Sequence, residues 1–299
     1  LSLMGHKVTV FEQRSKLGGM LRYGIPSYRF PREILDKEIE SILSTGIEVK
    51  TGITVGSDVS FDELKNKYDA LYIAIGAHTD KKTGIEGENS EGVMSAVEML
   101  RAIGDDSLPD FTGKEIVVIG GGNVAMDAAR SALRMGAEHV YIVYRRSEAE
   151  MPARLEEVHH AKEEGVEFQN LCNPVEILGD ENGRVNGLKC IRMELGEPDA
   201  SGRRRPIVKE GSEFVLDVDT VIMAIGTSPN PLISSTTEGL DTNRWGCLIV
   251  NEDMATTKDK VYAGGDAVTG AATVILAMGA GKTAAASIDE ILCGKAQTE

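Results

Sequence analysis

A chain of 299 residues is long enough for two domains of ordinary size, each with its own core. Its 41% apolar and 26% charged residues, with 33 glycines, fit a globular protein with many tight backbone approaches. A net charge of −15 argues against nucleic acid and membrane as general partners, because both select basic surfaces. Nucleotides stay open, since backbone N–H groups and a few arginines are enough to hold them. Cys172, Cys190, Cys247 and Cys293 form no C-x-x-C pair, which excludes a redox dithiol and a four-cysteine cluster or zinc site. No apolar run approaches the roughly 20 residues that span a bilayer, and no signal peptide is present, so a cytoplasmic protein is expected.

In chain order, Leu1–His6 reads as the last turn of a helix capped by Gly5, a start that implies residues upstream. Val8–Phe11 is a short strand ending in Glu12, followed by a loop with Gly18 and Gly19. Ile34, Leu35, Ile39, Ile42 and Leu43 recur at helical spacing over 32–45. A brief strand at 47–49, a helix at 61–67 and a buried strand at 70–75 ending in Gly76 continue a parallel α/β pattern. After a linker at 107–113 a second α/β unit begins: strand 115–119, glycine turn, helix 124–135, strand 140–144, helix 153–164 and strand 166–171. The stretches 175–178, 185–194 and 207–216 read as antiparallel strands. Val221–Ile225 is again buried and ends at Gly226, as the earlier strand ends at Gly76. Strand 261–263, Gly264-Gly265-Asp266 and an alanine-rich helix over 273–292 close the chain.

The strongest motif is Gly120-Gly121-Gly122-Asn123-Val124-Ala125, a G-x-G-x-x-A turn between an apolar strand and a helix. The first glycine makes the turn, the second admits a pyrophosphate, and Ala125 lets the helix pack close to the sheet. The helix N-terminus supplies N–H donors. Where an NAD site ends its second strand in an acid, this one ends in Arg145 and Arg146, a guanidinium pair suited to a 2′-phosphate. NADP(H) is therefore favoured. Glu12 has the opposite sign at the equivalent place in the first unit and suits an unphosphorylated ribose diol, as in FAD. Asp266, after two glycines, is placed to bond ribityl hydroxyls. The start of the helix at Thr273 and Val274 can face a flavin ring that gains negative charge.

Together these stretches resemble the glutamate synthase small-subunit family of two-dinucleotide flavoproteins. The matching residues run from Val10-Phe11-Glu12-Gln13 and Gly18–Pro26 through Tyr72–Gly76, Gly120–Asp127, Tyr144–Arg146 with Glu150–Ala153, and Ala224–Gly226 to Ala263–Ala267. The chain is similar as well to the larger subunit of NADH-dependent ferredoxin:NADP oxidoreductase and to the pyridine-nucleotide half of dihydropyrimidine dehydrogenase. The resemblance implies that Glu12, Gly18, Gly19, Arg22, Ile25, Gly76 and Asp266 contact FAD. It implies that Gly122, Asn123, Val124, Ala125, Arg145 and Arg146 contact NADPH. Gly120, Gly226, Thr273 and Val274 complete the expected cofactor set. The family's opening strand with its FAD glycine loop, and its amino-terminal iron–sulfur domain, are not in this sequence.

The expected fold class is α/β, with two Rossmann-like domains. An NADPH domain (109–241) is inserted in an FAD domain (1–108 and 242–299) that lacks its first strand and glycine loop. The expected activity is hydride passage between NADP(H) and FAD in the electron-entry part of a glutamate synthase-like enzyme. Partners are then an iron–sulfur domain or subunit and a larger catalytic subunit, with homo-oligomerisation left open. Two alternatives stand beside it: an NADP-binding module without flavin, and the NADP-reducing subunit of a ferredoxin-linked bifurcating oxidoreductase. A thioredoxin-reductase-like enzyme is disfavoured by the missing C-x-x-C. No side-chain acid, base or metal ligand is expected. His159-His160 read as a solvated helix face, and Arg203-Arg204-Arg205 as an exposed hairpin tip.

Overall fold

The computed structural model describes residues 1–296, which divide into two compact units. One comprises Leu1–Met20, Pro31–Thr79 and the chain from Thr227 onward; the other comprises Leu21–Phe30 and Asp80–Gly226.

The second unit is built on a five-stranded parallel sheet. Its order is Val93–Ser95, Thr220–Met223, Glu115–Ile119, His139–Tyr144 and Glu167–Asn170. Side chains alternate across a strand, and this decides what each face meets. Ile116, Val118, Val140, Ile142 and Ile222 enter one core with Met99 and Leu100 of helix Ala96–Gly104 and Ala125, Met126 and Ala129 of helix Asn123–Arg134. Val117, Ile119, Val143, Val221 and Met223 point the other way, onto Ile177, Leu188 and Cys190. Those three belong to an antiparallel sheet of Cys172–Gly179, Val185–Pro198 and Arg204–Leu216. The central strands are covered on both faces, which is why they read as unbroken apolar runs.

The first unit carries two parallel pairs, Thr9–Glu12 with Glu48–Thr51 and Leu71–Ile73 with Val261–Ala263. Among the described residues no strand joins them. Phe61, Ile73, Val261 and Ala263 form one core, and Tyr262 forms another with Ala284 and Ile288 of helix Val274–Ala296. Helix Phe61–Lys67 starts with a reciprocal cap, the Ser60 hydroxyl accepting from the Glu63 N–H while the Glu63 carboxylate accepts from the Ser60 N–H. No described helix is long and apolar enough to cross a membrane.

The unit boundaries differ from those expected. Residues 80–108 belong with the second unit, because Val93–Ser95 pairs in parallel with Val221–Met223 and Ser95 caps the helix that follows. Residues 227–241 belong with the first, where Ile233 and Leu240 join its core. The segment 21–30, inside the expected FAD domain, packs with the second unit. A three-residue strand has too few positions to show a period, so the unit it joins is decided by backbone pairing alone.

Candidate functional site: a glycine turn and two carboxylate-ended strands

In the second unit, strand Glu115–Ile119 delivers the chain to Gly120, where φ is 145°. A Cβ there would run into the Ala224 carbonyl oxygen, and one at Gly121 would come within 2.6 Å of the Tyr144 ring. Both positions are closed to any side chain by packing. Gly122 differs: it is the N-cap of helix Asn123–Arg134 at φ −93°, makes no side-chain cap bond, and a Cβ on it would meet nothing within 4 Å. The first turn of that helix holds no acid. Its N-terminal N–H groups therefore open onto a space shaped by the absence of side chains, the arrangement that receives a phosphate. Ala125, wholly buried, sets the close helix–sheet approach.

A loop clasps this turn. The Ala153 N–H donates to the Gly121 carbonyl (3.1 Å) and the Arg154 N–H to Asn123 Oδ1 (2.9 Å). The Tyr144 hydroxyl donates to the Glu150 carbonyl (2.9 Å). The Ser147 hydroxyl and then Arg204, 2.6 Å away, hold the Glu150 carboxyl below the usual carboxylate range. Arg204 and Arg205 are exposed beside the hairpin turn, as expected, and Arg204 is in addition ion-paired to Glu150.

The two arginines after strand His139–Tyr144 part company. Arg145 is exposed and makes no ion pair among the described residues. Arg146 is buried, donating to the Arg204 carbonyl and to Asp199 Oδ2, each at 2.7 Å. Gly226, at φ 102°, accepts from the Lys81 N–H (3.2 Å), three residues after a strand whose extension sets Ala224 against Gly120.

In the first unit, Glu12 closes its strand and Glu12 Oε1 accepts from the Arg14 N–H (2.7 Å). Gly18 and Gly19 follow at φ 125° and 49°, and a Cβ on Gly19 would enter open space. Gly76, at φ 67°, leaves no room for a Cβ beside His78 Nε2 (2.8 Å). After strand Val261–Ala263, a Cβ on Gly264 would collide with the Tyr72 hydroxyl and lie 2.9 Å from Ala280 Cβ. Asp266 Oδ1 is fixed by the Ala272 N–H (3.1 Å), just ahead of Thr273 and Val274, where the long helix begins. Glu12 thus ends one strand, and Asp266 opens the short helix Asp266–Thr269 after strand Val261–Ala263; the two strands lie in separate sheets of one unit. Arg22 and Ile25 lie in the segment that packs with the other unit, Arg22 buried.

One constellation escapes sequence reading. Arg29 forks onto both oxygens of Asp127 (2.7 and 2.6 Å) and reaches Glu157 (3.0 Å). Arg130 bridges Glu157 and Glu164, and Arg134 joins Glu164 (2.8 Å). The Tyr28 ring lies under both guanidiniums, 4.8 and 4.1 Å from its centroid. Burial pushes the Asp127 carboxyl up to about 6, against the pull of Arg29. Arg29 is 98 positions from Asp127, so no local pattern links them, although Asp127 stands within the glycine motif itself. The network ties segment 21–30 to the helix that starts the phosphate-receiving turn.

Comparison with known proteins gives the family and the fold. Residues 1–284 match the family model described as pyridine nucleotide-disulphide oxidoreductase. The chain is 46% identical over 291 residues to the NADP(+)-dependent formate dehydrogenase subunit beta of Moorella thermoacetica, covering 96% of this chain and 41% of that protein. It is 37% identical over 302 residues to the glutamate synthase [NADPH] small chain of Escherichia coli (strain K12), covering 96% and 64%. The chain spans about half the length of the curated relatives it matches. In fold it is similar to Mycobacterium tuberculosis FprA in complex with NADPH, with TM-score 0.81, 22% identity, and 98% and 79% of the two chains covered. The thioredoxin reductase of T. acidophilum shares the fold at TM-score 0.72 and 20% identity, over 98% and 92%.

Proposed function

The chain belongs to the pyridine nucleotide-disulphide oxidoreductase family, and on that premise we propose that it passes hydride between NADP(H) and FAD as one part of a larger electron-transfer enzyme. The observation that carries the reading is the open, acid-free helix N-terminus at Gly122, with the exposed Arg145 at the end of the adjoining strand. Asn123 and Val124 would hold the pyrophosphate of NADP(H) through backbone N–H groups, while Ala125, whose N–H donates to the Gly122 carbonyl (3.0 Å), keeps the helix close to the sheet. Arg145 takes the 2′-phosphate. Arg146, already bound to Asp199, supports the loop that presents it.

The first unit fits FAD by its donor set. Glu12 suits a ribose diol, Gly19 opens onto free space in the loop that follows, and the held carboxylate of Asp266 suits ribityl hydroxyls. The start of the helix at Thr273 and Val274 offers N–H groups where negative charge gathers. FAD, when bound, supplies two-electron chemistry with the nicotinamide and one-electron chemistry with onward acceptors. The protein's part in the hydride step is positioning and electrostatics, with no side-chain acid or base.

Relatives are named as a subunit beta of formate dehydrogenase, a subunit beta of an NADPH-Fe(3+) oxidoreductase and a small chain of glutamate synthase. What they share is the nicotinamide dinucleotide end, and the proposal is confined to that end, with an iron–sulfur carrier and a larger subunit receiving the electrons. The FAD-type half would be assembled from segments on both sides of the NADP-type half. Four free cysteines suit a reducing, cytoplasmic setting.

The test is the purified protein's flavin content and its reduction of an artificial acceptor with NADPH and with NADH. A yellow protein that prefers NADPH, and loses that preference in Arg145→Ala, supports the reading. A colourless protein that binds NADPH points to a dinucleotide-binding module. Equal loss of NADPH and NADH in the variant would remove Arg145 from the 2′-phosphate site.

A further inference from the structure

Away from both dinucleotide turns, three side chains of different donor chemistry converge in the first unit. His6 follows Gly5, whose φ of 95° closes the short helix Ser2–Met4 and turns the chain into the first strand. Asp289 and Cys293 are four residues apart on helix Val274–Ala296, so one turn of helix presents both on the same side. His6 Nε2 lies 2.6 Å from Asp289 Oδ1, and Cys293 Sγ lies 3.5 Å from the same oxygen. One ligand atom from each residue falls within 4.8 Å of the others.

We propose that His6, Asp289 and Cys293 form a binding site for a thiophilic divalent cation, zinc above all. An imidazole nitrogen, a carboxylate oxygen and a thiolate are the mixed donor set that zinc accepts, whereas magnesium and calcium take oxygen. With metal–ligand bonds of about 2.0–2.3 Å, a tetrahedral ion separates its ligand atoms by roughly 3.3–3.5 Å. The Asp289–Cys293 separation already has that value. The His6–Asp289 contact opens by less than 1 Å as the ion replaces a hydrogen bond with two bonds to metal. The Cys293 proton leaves to solvent on binding, and the fourth position faces water, since Cys293 is exposed. Such a site clips the last helix to the start of the first strand, across 283 positions of sequence. That distance is why no spacing motif announces it. None of its three side chains belongs to the residues assigned to NADP(H) or FAD.

The probe is Zn²⁺ itself. Protein stripped with EDTA and dialysed against Zn²⁺ is expected to retain one equivalent per chain by elemental analysis. The bound ion is expected to slow alkylation of Cys293 by iodoacetamide, read by peptide mass spectrometry, and to raise Tm. Cys293→Ser alters an exposed thiol, keeps the fold and loses the equivalent and the Tm rise. His6→Gln, with folding checked by circular dichroism, weakens retention. Zinc held by Cys293→Ser as firmly as by the wild type, or no equivalent retained by folded wild-type protein, overturns the assignment.

Discussion

Replacing Gly122 by Ser separates the role of the glycine turn in folding from its role in binding. At Gly122 the backbone is extended and a Cβ meets nothing within 4 Å, so the side chain enters without a clash. Serine is a better helix N-cap than glycine by a few tenths of a kcal/mol (~0.3) because its hydroxyl accepts from the next turn's N–H. The chain is therefore expected to keep or slightly raise its Tm. The same hydroxyl now occupies the donors and the space that a pyrophosphate needs. Losing one charge-assisted hydrogen bond costs about 1.5–3 kcal/mol, which weakens NADPH by roughly 10- to 150-fold. Gly120→Ala is the contrasting control. Its φ of 145° and the Ala224 carbonyl add backbone strain of roughly 1–3 kcal/mol and overpacking of roughly 1–3 kcal/mol, so it should lower Tm before any ligand is added. The assay pairs differential scanning calorimetry with NADPH titration by calorimetry. Wild-type affinity in Gly122→Ser would refute the placement of the pyrophosphate, and a Tm loss in it as large as that of Gly120→Ala would refute the geometry.

Three further outcomes are expected. Arg146→Ala strips the partner from Asp199 and should lower Tm, whereas Arg145→Ala, exposed and unpaired, should leave Tm unchanged while raising Kd for NADPH; thermal scans and titrations of both variants decide it. Asp127 has a folded pKa of about 6, above the unfolded value of about 3.9, so the folded state holds its proton longer and this carboxyl's contribution falls as pH rises from about 4 to 6. The stability of Asp127→Asn relative to wild type should improve by about 2 kcal/mol between pH 4 and 7.5 in urea unfolding, and a pH-independent difference would contradict it. Gly264→Ala should destabilise the first unit and deplete flavin, and adding Tyr72→Phe should restore part of both by removing the colliding hydroxyl, as measured by Tm and flavin absorbance.

The α/β class and the glycine turn are legible in the residues alone, because each is a local pattern. Ile116–Ile119 is apolar on both faces since both faces are covered, and Gly120–Ala125 follows it directly. The sign of the residues closing the second strands, Glu12 in one unit and Arg145 with Arg146 in the other, was likewise legible from position. Which arginine makes no ion pair among the described residues depends on packing, because Asp199, the partner of Arg146, arrives on a hairpin 53 positions away. Tertiary structure decided that Val93–Ser95 joins the second sheet, a matter of backbone hydrogen bonds that three residues cannot advertise. It also brought Arg29 to Asp127 and His6 to Asp289 and Cys293. Periodicity reports which face of an element is apolar, but not which distant charge lies across from it; that depends on how the faces pack, and it is where the buried ion network and the proposed zinc site arise.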